Sequence, residues 1–153
     1  MKLNQIFSYM PEMKPLLLDG SKRRTIRAIG KNNFRDRCNV NDLMYNWIDQ
    51  RNRHKAKEFL FNSRVVEKIH VNIDDAPESE DLARRLESPK AGETWEEFAL
   101  KDGFDFYSDF LSFFKGHVKK TNKFICFIFT TDLSKPYKIK GNMLITDFIE
   151  VIA

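Results

Sequence analysis

Lys22, Arg23, Arg24 and Arg27 crowd around one hydroxyl, Thr25, in the stretch LLLDGSKRRTIR that runs from Leu16 to Arg27. Side chains of these types in one turn suit an anion-binding corner, with guanidinium forks and an ammonium point charge for phosphate or an oxyanion. They also suit a catalytic corner, where a hydroxyl beside an amine can be made a nucleophile. The plainer use is a helix end, a glycine turn and a charged edge strand that discourages aggregation. The other reactive residue types are sparse. Cys38 and Cys126 are far apart and lack a Cys-x-x-Cys or Cys/His ligand spacing, so no structural zinc site, and no other metal or cofactor, is expected. Cys126, inside FICFIF, reads as a small core hydrophobe. His54, within RNRHK, reads as a hairpin-tip cation within reach of phosphate, whereas His70 and His117 have no partner spacing.

The chain around that corner has the length of one domain. Its 153 residues suffice for a single core, and 14 phenylalanines give that core ample material, which argues against wholesale disorder. No run approaches the length of a membrane span, and the opening MKLNQIFSYMPEMK lacks the apolar stretch of a secretory signal, so a cytoplasmic location is expected. Net charge is only +4, but its distribution is uneven. From Gly20 to Glu58 eleven cations face four acids, and from Asp74 to Asp109 twelve acids face four cations. A polyanion would meet the first segment and a basic partner the second.

Periodicity sets out the elements. Strands are predicted at Lys2 to Phe7, Arg24 to Ile29, Leu43 to Asp49, Glu58 to Val71 and Lys123 to Asp132, the last continuous and apolar enough to be buried on both faces. A short helix at Pro11 to Leu18 ends at Asp19-Gly20, and Gly30 to Asp42 is a loop. Thr94 caps a helix from Trp95 to Lys101, and the Phe106, Phe110, Phe113 and Phe114 stripe marks another over Asp105 to Gly116. The acidic segment Asn72 to Gly92, with one helical turn at Ser79 to Leu86, reads as an insertion or flexible excursion. The tail reads as a β-hairpin turning at Gly141 and Asn142. Hairpin-linked strands with segregated short helices predict an α+β domain, a small, partly open β-barrel with the helices covering its ends.

Three stretches, in order, resemble the activating signal cointegrator homology (ASCH) family. LLLDGSKRRTIR is similar to its opening motif of apolar helix end, Gly, Lys and a Thr-x-Arg strand. NVNDLMYNW, Asn39 to Trp47, resembles its Gly-Asp strand entry with Asn41 in place of Gly. FALKDGFDFYSDFLSFF, Phe98 to Phe114, resembles its acidic-Gly-Phe helix pair, and FICFIF its closing strand. The resemblance covers about Gln5 to Thr130 and implies a PUA-like barrel that recognises RNA or modified nucleotides. It frames residues 1–132 as the domain, with 72–92 inserted and 133–153 as an extension packed on it.

Within that family the bacterial acetylcytidine amidohydrolases resemble the chain at the residues that do chemistry. The resemblance carries their Lys to Lys22, their Thr to Thr25 and their carboxylate to Asp102, where Asp replaces Glu and is about one methylene shorter. In such a site Thr25 attacks, Lys22 takes the proton and Asp102 shuttles or orients. Strand period two sends Lys22 and Thr25 to opposite faces, so Lys22 has to sit in the turn before the strand begins. Asp102, at a helix C-terminus, opposes the dipole, which favours a role for it. Arg24, Arg27, Arg53 and Lys55 are the expected phosphate contacts. Tyr45 and Trp47 share a strand face and can stack on bases, although core packing is their plainer use. The expected function is binding of RNA or a modified nucleotide through this basic corner. Deacylation of an acylated cytidine nucleoside is the alternative, and a protein-interaction module built on the acidic segment is a third.

Overall fold

A computed structural model describes residues 2–50, 56–117 and 121–134, together with the backbone of two short strand segments, 138–139 and 143–144. Its core is a five-stranded sheet of β1 (Ile6–Tyr9), β2 (Arg24–Ala28), β3 (Leu43–Ile48), β4 (Glu58–Asn72) and β5 (Lys123–Thr130), in the order β1-β3-β4-β5-β2. The β1–β3 pair is parallel and the other three pairs are antiparallel. The sheet curls into a half-barrel, and with the short helices α1 (Lys14–Asp19), α2 (Glu80–Arg85), α3 (Trp95–Lys101) and α4 (Tyr107–His117) it forms an α+β fold. β1 and β2 are the two edges of the curl.

The alternation of side chains in β5 divides the interior in two. Ile125, Phe127 and Phe129 face one cluster, with Phe7, Tyr9, Leu17, Met44, Ile48 and Val65. Phe124 and Cys126 face the other, with Trp95, Phe98 and the α4 phenylalanines Phe110 and Phe114. The predicted double-faced burial of this strand is what the structure has. The same parity runs through β2, where Ile26 packs on the helix side while Thr25 and Arg27 point into the curl.

Two expectations need correction. The first strand begins at Ile6 rather than Lys2, and residues 3–5 form a 3₁₀ turn. Leu3 is 71% exposed, whereas Phe7 and Tyr9 are buried, so the strand frame is set by the residues that reach the core. The 72–92 segment is no flexible excursion either. Ile73, Ala76 and Ala83 lie in the same apolar cluster as Trp95 and Phe98, and Tyr107 donates to the Pro77 carbonyl at 2.6 Å. Its acidity had hidden a thin set of small apolar anchors.

At the tail, β6 (Lys138–Ile139) and β7 (Met143–Leu144) pair antiparallel as the hairpin reading expects, while the turn at Gly141 and Asn142 lies outside the described residues. Arg53, His54 and Lys55 also lie outside them. Among the described residues no helix is long and apolar enough to cross a membrane.

Candidate functional site: a buried Lys–Asp pair beside Thr25

The site begins with the end of α1. Gly20 takes the left-handed conformation (φ +90°) that stops the helix, and the Ser21 amide donates to the Asp19 side chain at 2.8 Å. The Lys22 amide then folds back onto the Leu16 carbonyl at 3.0 Å. Lys22 is therefore outside the strand, which starts at Arg24, and escapes the period-two alternation that would part it from Thr25.

The far side of the site is supplied by α3 and its exit. The Thr94 hydroxyl caps the helix by accepting from the Glu97 amide at 3.2 Å. At the other end the Asp102 amide donates to the Phe98 and Ala99 carbonyls, and Gly103, at φ +106°, turns the chain away. Met13, Leu16 and the Lys22 side chain lie at ordinary contact distance from where a side chain on Gly103 would begin, so the turn nests against α1 and carries Asp102 to Lys22.

There the two side chains meet. Lys22 Nζ donates to Asp102 Oδ1 at 3.1 Å and to the Asp102 carbonyl, and each side chain is about 5% exposed. Burial pushes the Asp102 carboxyl above the usual aspartate range, against the pull of Lys22, Arg27 and Arg24. A carboxyl so placed can hold a proton that an exposed one would release. In the observed arrangement Lys22 is a donor, so a base role requires that it first pass a proton to Asp102.

Thr25 is buried and is linked to this pair through Arg27, which lies close enough to Asp102 to pull on its carboxyl. Arg27 Nε donates to Thr25 Oγ1 at 3.0 Å and its Nη2 to the Ser8 carbonyl at 2.9 Å, while the guanidinium lies over the rings of Tyr9 (4.9 Å) and Phe7 (5.4 Å). Arg27 thus joins the two edge strands, β1 and β2, which share no backbone ladder. It is half-buried and is the member of the cluster nearest solvent. Lys22, Thr25, Arg27 and Asp102, drawn from a helix cap, a strand and a helix exit, share one polar cluster in an apolar surround.

Arg24 points the other way. Its guanidinium grips Glu93 in a two-pronged pair, at 2.9 and 2.8 Å, over the Phe98 ring, and only 7% of the residue is exposed. It presents no exposed fork to a phosphate, nor is it part of a solvated edge. Arg23 turns back onto the Leu17 and Lys22 carbonyls. Most of the cations that stand out in the sequence therefore tie backbone and carboxylates together.

Tyr45 and Trp47 do share one face of β3, opposite Met44, Asn46 and Ile48, and both are half-buried. Trp47 meets Phe59 edge to face at 5.2 Å, and its buried indole nitrogen has no hydrogen-bond partner among the described residues. Trp47 is the register partner of Ser8 on β1, but Tyr45 and Trp47 lie on the face of β3 opposite Asn46, the side chain that accepts from Tyr9, so neither ring is on the Tyr9 side of the strand. Both cysteines are buried free thiols pushed up by burial to about 12, which removes them as nucleophiles. Among the described residues no three His, Cys, Asp or Glu side chains are grouped to hold a metal.

Three partners stand out only in the structure: Tyr9 and Asn46 on the Arg27 side, and Glu93 on the Arg24 side. Asn46 carried a signal, being the one polar residue on the buried face of β3 between Met44 and Ile48. Tyr9 lay beyond the predicted strand, and Glu93 was one acid among twelve. No protein-family model, curated protein or solved structure matches the chain.

Proposed function

We propose that the chain is a PUA-like, ASCH-type recognition domain that binds a modified nucleoside or nucleotide unit at the seam between β1 and β2. The observation that carries this reading is the meeting of Lys22 and Asp102, 80 positions apart, in a buried ion pair beside Thr25 and Arg27. Such a pair is costly to desolvate and gives the fold little in return, so it is a candidate for function. The inward turn of Lys22, Arg24 and Arg27 favours a compact ligand over an extended RNA backbone. Arg27, at the seam, is the contact for an anionic or carbonyl oxygen.

Hydrolysis at the same site is a second reading, favoured by the raised pKa of Asp102 next to Lys22. Proton transfer to Asp102 leaves a neutral Lys22 amine that can receive the Thr25 proton. Thr25 Oγ1 then bonds to the acyl carbon, the C–N bond breaks, and the departing amine takes a proton from the pair. Water cleaves the resulting ester and restores Thr25.

Calorimetric titration with N4-acetylcytidine and with an unmodified RNA oligonucleotide tests the binding reading, and acetate release tests the second. The nucleoside should bind with little salt dependence, Arg27→Lys should weaken it about tenfold, and Thr25→Val should abolish any acetate release. Binding of the oligonucleotide alone, with an affinity falling steeply with salt and indifferent to Arg27, would overturn the proposal.

A further inference from the structure

β4 is paired on both sides for only part of its length. Its register with β3 ends at Leu43 opposite Arg64, and the loop before β3 adds bonds at Val65, where the Asn41 amide donates to the Val65 carbonyl at 2.8 Å and the Val65 amide to that of Asp42 at 3.1 Å. On its other side β4 stays paired with β5 as far as Asn72, and the Ile73 amide reaches the Asn122 carbonyl at 2.9 Å. Antiparallel pairing turns alternate residues to opposite sides, so Ile69, Val71 and Ile73 bond toward β5 while the main-chain groups of His70 and Asn72 are directed away from it. Among the described residues no backbone partner meets them there. Unpaired strand N–H and C=O groups of this kind are a template for another strand.

A groove adjoins this open edge. It has a volume of about 540 Å³ and is lined by His70 and Asn72 of the strand, by the loop from Leu86 to Pro89, and by Asp75 and Trp95. The loop is tied down on both flanks: the Trp95 amide donates to the Leu86 carbonyl at 3.3 Å, the Ser88 amide to the Glu93 carbonyl at 2.8 Å, and Lys90 pairs with Glu67 of β4 itself. Apolar and acidic surface share the groove, with Leu86 exposed and Trp95 buried beneath. Among the described residues Asp75 and Glu87 make no ion pair, whereas the neighbouring acids Glu67, Glu78, Glu93 and Glu96 each hold a cation. Two uncompensated carboxylates repel a phosphate backbone and attract a basic side chain.

We propose that an extended peptide of a partner protein adds to the open edge of β4 at His70 and Asn72, and places a lysine or arginine in the groove with its methylene stem on Leu86 and its charge at Asp75 and Glu87. Main-chain hydrogen bonds to the edge supply affinity, and the basic residue supplies specificity. Successive peptide residues face opposite sides of the sheet, so only alternate ones enter the groove. This surface is separate from the Lys22 cluster and does not depend on nucleoside binding there.

Selection of a randomised short-peptide library on the full chain tests this. Enriched peptides should share one lysine or arginine among strand-forming residues, and a synthetic peptide of that sequence should slow amide hydrogen exchange at His70 and Asn72. Glu87→Lys should weaken its binding about tenfold, the scale of one charge-assisted hydrogen bond. His70→Pro removes an N–H from the open edge and should abolish binding, while His70→Ala loses only the side-chain contact with Asp36 and should bind as the parent chain does. Circular dichroism reports whether His70→Pro folds, and if it does not, Glu87→Lys and the exchange measurement decide. Enrichment without a basic residue, binding indifferent to Glu87→Lys, or exchange unchanged at His70 and Asn72 overturns the inference. So does self-association in sedimentation that His70→Ala keeps and His70→Pro or Glu87→Lys removes, since a second copy of the chain would then occupy the edge.

Discussion

Lys22 and Asp102 show how context sets the meaning of a side chain. Each would be ordinary in water, and together out of water they hold one another in place. Removing one partner strands the other, so Lys22→Met should destabilise the fold by about 3–5 kcal/mol, read by urea unfolding. Lys22→Met combined with Asp102→Leu should recover most of that loss, because the penalty lies in the unpaired charge. A double variant as unstable as the single one would mean that packing of the Lys22 stem is what matters.

The buried carboxyls Asp102 and Glu93 differ in sign. Burial pushes Glu93 up, but hydrogen bonds and charge from Arg24 and Lys101 outweigh it and hold the carboxyl below the ordinary glutamate range. Its contribution to stability is therefore present above its unfolded-state pKa and lost as pH falls through the lowered folded value. Asp102 is raised, so its titration favours the folded state at acid pH, and that contribution is lost as pH rises through the folded value. Urea midpoints followed from acid to neutral pH should rise less steeply in Glu93→Gln and more steeply in Asp102→Asn than in the parent chain. Equal slopes in all three would show that neither carboxyl is linked to folding.

Elements deliver these residues through their ends rather than their middles. Lys22 hangs from the exit of α1, Asp102 from the exit of α3, and Thr25 from the second residue of β2. The Gly103 turn is the joint that brings two of these ends together. An added methyl there would meet Met13, Leu16 and Lys22 at ordinary contact distance, so its cost comes from the backbone conformation rather than from collision. Gly103→Ala should cost about 1–2 kcal/mol in thermal or urea unfolding and should weaken nucleoside binding as well, since Asp102 is the adjoining residue. A loss of stability with binding untouched would separate the turn from the site. The α3 boundaries were legible because Thr94 caps the helix and Gly103 follows its end, whereas the start of β1 was not, because nothing local distinguishes Leu3 from Phe7.

At the scale of the molecule, the acidic half of the chain is part of the structure that holds the basic half. Glu93, next to the cap of α3, pairs with Arg24 of β2, and Ile73, Ala76 and Ala83 complete the cluster against which α3 and α4 pack. Deleting residues 77–91 should therefore abolish cooperative thermal unfolding or lower its midpoint by about 4–12 degrees, the shift expected for a loss of about 2–3 kcal/mol in a domain of this size. A variant that melts like the parent chain would restore the view of this segment as a detachable interaction arm.

Much of the architecture is local and so could be read along the chain. Alternation marks β3 and β5, the Phe stripe marks α4, and Asp19-Gly20 marks the turn that frees Lys22 from the strand. Lys22, Thr25, Arg27 and Asp102 were legible as candidates by residue type and by family resemblance. The partners of the cations were not, because charge along a chain says nothing of which carboxylate or carbonyl a guanidinium will find after folding. Arg24 and Arg27 are three residues apart with the same chemistry, yet strand parity sends one to Glu93 on the helix side and the other across the seam to Ser8 and Thr25. Tyr9 and Asn46, 37 positions apart, come together only when β1 and β3 pair in parallel and the sheet curls. Long-range register and curvature, which no short stretch encodes, made a charge cluster into a buried polar site.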